Sequence, residues 1–235
     1  MKQKVSDYIA EYIAQWGIRD VFTVTGGGAM HMNDAFGHHK MLHCTYQHHE
    51  QACAMAAEAY ARLGNKMAAV CVTTGPGATN AITGVLGAWM DSIPMLVFSG
   101  QARYATTVSA SGLPLRSMGV QECNIVPVVK SLTKYAHMIV HPENIRYHLE
   151  KALYLAVNGR PGPVWLDIPL DVQGAVIETD DLKAYDPEEN PEQKPREIKD
   201  ETVEQILDKL QESKRPVLSP GNGVRLAGAH EDFYQ

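Results

Sequence analysis

Two runs of this chain, residues 68–72 (Ala-Ala-Val-Cys-Val) and 95–98 (Met-Leu-Val-Phe), are apolar at every position rather than at every second one. A strand of that kind has no solvent face, so both of its sides must be covered. That points to a parallel sheet held between two layers of helices. The neighbouring segments agree. Residues 19–25 (Arg-Asp-Val-Phe-Thr-Val-Thr) are β-rich and run into Gly26-Gly27-Gly28, after which residues 29–36 begin a helix. A short strand near residues 42–45 precedes an alanine-rich helix from about Glu50 to Leu63 that stops at Gly64. After the apolar strand of residues 67–73, the turn Thr74-Gly75-Pro76-Gly77 opens a helix reaching about Met90, and residues 94–99 form the next strand. Ahead of these, Val5, Tyr8, Ile9, Tyr12, Ile13 and Trp16 recur at helical spacing and end at Gly17; residues 143–157 and 163–168 supply a later helix and a closing strand. The repeat predicts an α/β fold: a doubly wound, mainly parallel sheet with helices on both faces, occupying residues 1–173.

With 235 residues, 45% hydrophobic and 20% charged, the chain can bury a core without disulfide or metal staples. Its net charge of −6 is concentrated. Residues 178–201 carry ten acidic and four basic side chains, so the remainder balances at seventeen of each sign. That stretch also holds three prolines and few apolar residues, which predicts an extended linker over residues 174–200; a solvated surface loop of a single domain is the alternative. Beyond it, Val203, Ile206, Leu207 and Leu210 mark an amphipathic helix. The apolar residues 216–218 and the turn Pro220-Gly221-Asn222-Gly223 then follow, so residues 201–235 read as the incomplete start of a second α/β domain. Residues 102–119, rich in Ser, Thr and Gly, read as a long loop placed to cover a site at the carboxyl ends of the strands.

Several function classes are excluded. An acidic chain is a poor binder of nucleic-acid phosphates, whose affinity rests on Lys and Arg. Cys44, Cys53, Cys71 and Cys123 show neither a C-x-x-C pair nor a secreted disulfide spacing. There is no signal-peptide run and no apolar stretch of ~18 residues, so a cytoplasmic chain with no membrane partner is expected. None of the glycine turns fits G-x-G-x-x-G: the third position is His31 counted from Gly26, Asn80 from Gly75 and Leu226 from Gly221. No G-K-[ST] occurs either. His38, His39, His43, His48 and His49 lack H-E-x-x-H or Cys/His ligand spacing, so no metal site is assigned to this chain.

Four stretches together carry a resemblance. They are Gly26-Gly-Gly-Ala behind Val21-Phe-Thr-Val-Thr; Gln47-His48-His49-Glu50-Gln51-Ala52 leading to Ala56-Ala-Glu-Ala-Tyr-Ala-Arg62; Thr74-Gly-Pro-Gly-Ala-Thr-Asn80 with Met90-Asp-Ser-Ile-Pro94; and Gly159-Arg-Pro-Gly-Pro163 with Asp167-Ile-Pro-Leu-Asp171. In order and spacing they resemble the N-terminal, pyrimidine-binding domain of thiamine-diphosphate enzymes of the acetolactate synthase group. Gly221-Asn-Gly-Val-Arg-Leu-Ala-Gly is similar to the opening of that group's central domain. The resemblance departs from the group's pattern at Val120, where a phenylalanine is usual, and at Thr25, where a proline is usual; both bear on the substrate rather than the cofactor.

The resemblance implies a thiamine-diphosphate-dependent transferase or lyase that decarboxylates a 2-keto acid such as pyruvate. Glu50 would hydrogen-bond N1′ of the aminopyrimidine, and Gln121 would approach the substrate. Gly26, Gly27, Thr74, Pro76, Gly77 and Asn80 would line the cofactor site. A carboxyl group at the start of an apolar helix, partly desolvated, is suited to sharing a proton with a ring nitrogen. The plain structural alternative for Glu50 is a carboxylate meeting the helix dipole, worth ~0.3–1 kcal/mol; for residues 74–80 it is a simple helix entry. The Gly-Asp-Gly motif and distal Asn that hold the diphosphate and Mg²⁺ in that group do not occur here. The resemblance therefore implies that both are held by a domain absent from this chain, that the isolated chain is inactive, and that it is a fragment of a three-domain enzyme forming homodimers or tetramers. It also admits FAD, which no residue here decides. The other readings are a different thiamine-diphosphate 2-keto acid lyase and a catalytically incompetent assembly module.

Overall fold

The computed structural model describes residues 1–194 and 197–235, in two compact units, 1–194 and 195–235. In chain order the first unit contains β1 (Lys2–Lys4), α1 (Val5–Trp16), β2 (Asp20–Thr23), α2 (Met30–His38), β3 (His43–Tyr46), α3 (Glu50–Gly64), β4 (Ala69–Val72), α4 (Pro76–Asn80), α5 (Ile82–Met90) and β5 (Met95–Gln101). There follow α6 (Val108–Ser111), α7 (Ile125–Val129), β6 (Tyr135–Met138), α8 (Ile145–Val157), β7 (Pro163–Pro169), α9 (Leu170–Gly174) and β8 (Val176–Glu178). The second unit contains α10 (Asp200–Glu212), α11 (Asn222–Leu226) and α12 (His230–Tyr234).

Six strands form one sheet in the order β3-β2-β4-β5-β7-β6, every pairing parallel. The two fully apolar runs are its centre. Along β4, Ala69 and Cys71 face the core layer built by α1, α2 and α8, while Val70 and Val72 face the layer of α3, α5 and α7; on β5, Leu96 and Phe98 oppose Met95 and Val97 in the same way. This is the doubly wound α/β architecture expected. A chain that lays β3 on one side of β2 and β4 on the other leaves a crevice between their carboxyl ends, where ligands bind in open α/β sheets.

Local details differ from the sequence reading in four places. The helix expected from residue 76 to about 90 is two helices, α4 and α5, interrupted at Ala81. The covering loop is partly ordered: the Glu122 carboxylate accepts backbone N–H groups from Val108, Met118 and Gly119 at 2.7, 2.9 and 3.0 Å. Burial works to raise that carboxyl, and the three N–H donors outweigh it and hold it below its ordinary value.

The third difference is the acidic segment. Its first part belongs to the first unit rather than to a linker beginning at 174. Here β8 pairs antiparallel with β1, and Ile177, Leu182 and Tyr185 are buried. Glu150 accepts the Tyr185 backbone N–H at 2.7 Å. Few apolar residues suffice because each fills a place on an existing core. Residues 195 and 196, also within the expected linker, lie outside the described residues. In the second unit α10 forms where expected, but residues 216–218 pair with no strand among the described residues, and Val217 and Leu218 are exposed. A strand needs a neighbour for its backbone groups, and the described residues supply none.

Candidate functional site

The turns at the carboxyl ends of β2, β3 and β4 meet around Thr73. Gly26 approaches so closely that a Cβ there would lie 2.4 Å from the Thr73 Cβ. The Thr73 hydroxyl accepts the Gly28 N–H at 3.0 Å. From the other side Gly77 meets the same side chain, its own Cβ position being 2.7 Å from Thr73 Cγ2 and 3.3 Å from Glu50 Oε1. Glycine at 26 and 77 is therefore what lets the two turns close on each other.

Glu50 is the first residue of α3. The preceding His49 caps that helix, its Nδ1 accepting the Gln51 N–H at 3.2 Å. Glu50 is half-buried, and Oε2 accepts a hydrogen bond from the Asn80 amide at 2.6 Å. Oε1 accepts none among the described residues and faces the space that a side chain at 77 would fill. The same Asn80 amide lies 3.4 Å from His49 Nε2. Asn80 ends α4, so the short helix started by Pro76 is what carries the amide to the carboxylate.

Of the residues expected to form the site, Glu50, Asn80, Gly77 and Gly26 come together. Pro76, exposed, supplies the helix start, and its carbonyl accepts the Thr79 hydroxyl at 3.2 Å. Thr74 is 4% exposed and its hydroxyl is committed inward, donating to Gln101 Oε1 at 2.7 Å. Gly27 stands apart, with no atom near its Cβ position. Gln121 adopts a left-handed backbone, φ 56°, and meets the turn at Gly75 rather than Glu50 or Asn80. Gly75, itself at φ 59°, packs so tightly on it that a Cβ would be 2.0 Å from the Gln121 carbonyl oxygen.

Sequence reasoning missed the layer beneath. Asp167 is fully buried; desolvation pushes its carboxyl up to about 7 against the opposing hydrogen bonds from Ser99 and Gln101. Its oxygens accept from the Ser99 hydroxyl at 2.6 Å and the Gln101 amide at 3.1 Å. The available signal was a lone carboxylate inside an otherwise apolar strand, Val164-Trp-Leu-Asp-Ile168. Among the described residues no group of three or more His, Cys, Asp or Glu side chains is arranged to hold a metal, and no helix is long and apolar enough to cross a membrane.

Comparison with known proteins bears on this arrangement. Residues 3–122 match the family described as "Thiamine pyrophosphate enzyme, N-terminal TPP binding domain". The acetolactate synthase large subunit of Lactococcus lactis is 33% identical over 229 residues, 97% of this chain and 38% of that protein. Acetolactate synthase 2, chloroplastic, of Zea mays is 35% identical over 233 residues, covering 96% and 34%. The chloroplastic enzyme of Arabidopsis thaliana is 34% identical over 224 residues, covering 94% and 32%. The chain thus spans about a third of the length of these relatives. The family match takes in the turns around Thr73, Glu50 and Asn80, and the chain belongs to the thiamine pyrophosphate enzymes, as a carrier of their N-terminal TPP binding domain.

Proposed function

We propose that this chain is the thiamine-diphosphate-binding part of an acetolactate synthase-like enzyme that decarboxylates a 2-keto acid, pyruvate first, and joins the two-carbon unit to a second keto acid. The observation that carries the reading is the Glu50 carboxylate: one oxygen is fixed by Asn80 at 2.6 Å, and the other, beside the glycine at 77, accepts no hydrogen bond among the described residues. That donor set fits an aminopyrimidine. An acceptor oxygen on a half-buried carboxyl group is what a protonated ring nitrogen needs, and the missing side chain at 77 leaves a flat ring room to reach it.

In this reading thiamine diphosphate, when bound, supplies the electron sink for losing the substrate carboxylate. Glu50 holds and shares the proton at N1′, and Asn80 keeps the carboxylate turned toward the ring. Gly26 and Gly77 keep the turns close enough to exclude water from that face. Gln121 is assigned to the substrate side. The diphosphate and Mg²⁺ belong to residues outside this chain, and FAD is given no role. Self-association through the first unit is part of the proposal, supported by Met55, Leu86 and Met90 exposed on α3 and α5. A reducing compartment such as the cytoplasm is supported by four cysteines that are all free.

The test is complementation. The chain is combined with the remaining portion of a full-length acetolactate synthase relative, thiamine diphosphate, Mg²⁺ and pyruvate, and CO₂ release is followed. Release is expected, and Glu50→Gln is expected to lower it by about a hundredfold or more, the usual scale for a lost acid–base group. Release that Glu50→Gln leaves unchanged overturns the reading.

A further inference from the structure

Beneath the turn of residues 74–77 lies a polar network that the chemistry above does not use. Gln101, the last residue of β5, is 1% exposed and commits every hydrogen-bonding position of its side chain. Its Oε1 accepts from the Thr74 hydroxyl at 2.7 Å and from the Ala102 N–H at 3.0 Å. Its Nε2 donates to the Cys123 carbonyl at 2.7 Å and to Asp167 at 3.1 Å. A primary amide has two acceptor positions and two N–H groups, so nothing is left over. Nor can the amide be turned round, because that would set N–H against the Ala102 N–H and oxygen against the Asp167 carboxyl. Asp167 is steadied on its other oxygen by Ser99, whose hydroxyl receives the Trp165 indole N–H at 2.8 Å. With or without a proton on its Ser99-facing oxygen, Asp167 keeps a lone pair for Gln101.

The partners belong to separate segments. Thr74 opens the turn bearing Gly75, Pro76 and Gly77; Cys123 ends the loop bearing Gln121; Ala102 begins the covering loop; Asp167 lies on β7. Gly75 and the Gln121 carbonyl are packed in contact directly above. We propose that Gln101 is a positioning residue: its amide, oriented by Asp167, locks the turn that carries Asn80's helix and the loop that carries Gln121 into one register. That register would set where Glu50 and Gln121 stand relative to the cofactor. The functional half of this statement rests on the reading given under Proposed function; the structural half does not. A fully satisfied buried network is rigid, and a partly satisfied one is costly, so the coupling is all-or-none in character.

Hydrogen exchange of the chain, read by mass spectrometry over residues 73–81 and 117–124, tests the lock without any cofactor. Gln101→Met keeps the length of the side chain and removes all four bonds. Exchange in both windows is expected to rise about tenfold or more, the scale of losing one net hydrogen bond from local stability, while the β1–β8 ribbon keeps its rate. Gln101→Glu, read at a pH well above the Asp167 range so that no proton is shared, sets two carboxylates against each other and is expected to loosen the 73–81 window. Adding Asp167→Asn, whose amide can donate to the new carboxylate, is expected to restore it. Unchanged exchange in Gln101→Met, or no rescue by Asp167→Asn, overturns the lock; should Gln101→Met fail to fold, the rescue pair decides. In the complementation assay, Gln101→Met is expected to lower kcat at saturating cofactor and keto acid by about tenfold to a hundredfold, as displacements of around 1 Å do. The rescue pair is expected to recover part of it. Loosened windows with an unaltered kcat overturn the positioning role. If the unaltered protein shows no thiamine-diphosphate-dependent turnover, the proposed function fails, and the exchange measurements still decide the lock.

Discussion

The Asn80–Glu50 hydrogen bond occupies one carboxylate oxygen and leaves the other available, which separates the expected behaviour of the two residues. Asn80→Ala frees the carboxyl group without removing it, so CO₂ release in the complementation assay is expected to fall by about tenfold, less than for Glu50→Gln. Asp167 makes a different kind of statement. Its carboxyl is raised by burial to about 7, so between about pH 4 and about pH 7 the folded chain binds the proton that the unfolded chain releases. Stability contributed by this group is therefore full below about pH 4 and declines as pH rises toward 7, by at most about 4 kcal/mol. Asp167→Asn is expected to flatten that decline, as measured by urea midpoints across the range; an equal decline in both proteins would contradict it. At this scale Glu50, Asn80 and the glycines were legible because their types and spacing carry the chemistry. The inward commitment of Thr74 and the Gln101–Asp167 pair were not, since a buried amide's role depends on which strands become neighbours.

Between elements, the β6–α8 edge is held by rings. His137 and His148 stack with centroids 3.9 Å apart, and the Tyr135 hydroxyl and His148 Nδ1 are 2.6 Å apart. Lys151 Nζ lies 5.4–5.7 Å from the centroids of Tyr135, Tyr147 and Tyr185. Burial, then His137 and Lys151, push His148 down to about 4. A histidine lowered in this way contributes stability above its ordinary 6.5 that is lost as pH falls toward about 4. His148→Phe is expected to weaken that acid-side loss, seen as a smaller difference in melting temperature between pH 7 and pH 4.5. At the covering loop, Glu122→Gln removes the charge that gathers three backbone N–H groups, and limited proteolysis between residues 104 and 119 is expected to accelerate severalfold. The long helices α1, α3 and α8 could be read from periodicity and stop signals. Strands β1, β6 and β8 could not, because three or four ordinary residues become strand only through the partner they meet.

Across the whole chain, the boundary at Lys194 changes what a minimal stable unit should be. Truncation after residue 194 is expected to leave the thermal midpoint of the first unit within a few degrees of the full chain. Truncation after residue 173 removes β8 together with the buried Ile177, Leu182 and Tyr185. At ~1.5–3 kcal/mol for each large apolar side chain, that loss is comparable with the entire stability of many domains, and the shorter chain is expected to be largely unfolded. Equal midpoints for the two truncations would contradict this. The doubly wound sheet was visible from two apolar runs and a series of glycine turns. The true edge of the unit was hidden by the high acidity averaged over residues 178–201, which masks a few well-spaced apolar side chains.

The β1–β8 ribbon joins Lys2 to Glu178, and the N-terminal ammonium group pairs with Asp180. The ribbon therefore pairs strands more than 170 residues apart in sequence. All six strands of the main sheet can find one another before this last contact is possible, at the entropic cost of closing the longest loop in the unit. The ribbon is then a latch that β8, the last strand of the first unit, closes on β1, its first. Substitutions there, such as Ile177→Asp, are expected to speed unfolding while leaving the early folding rate nearly unchanged.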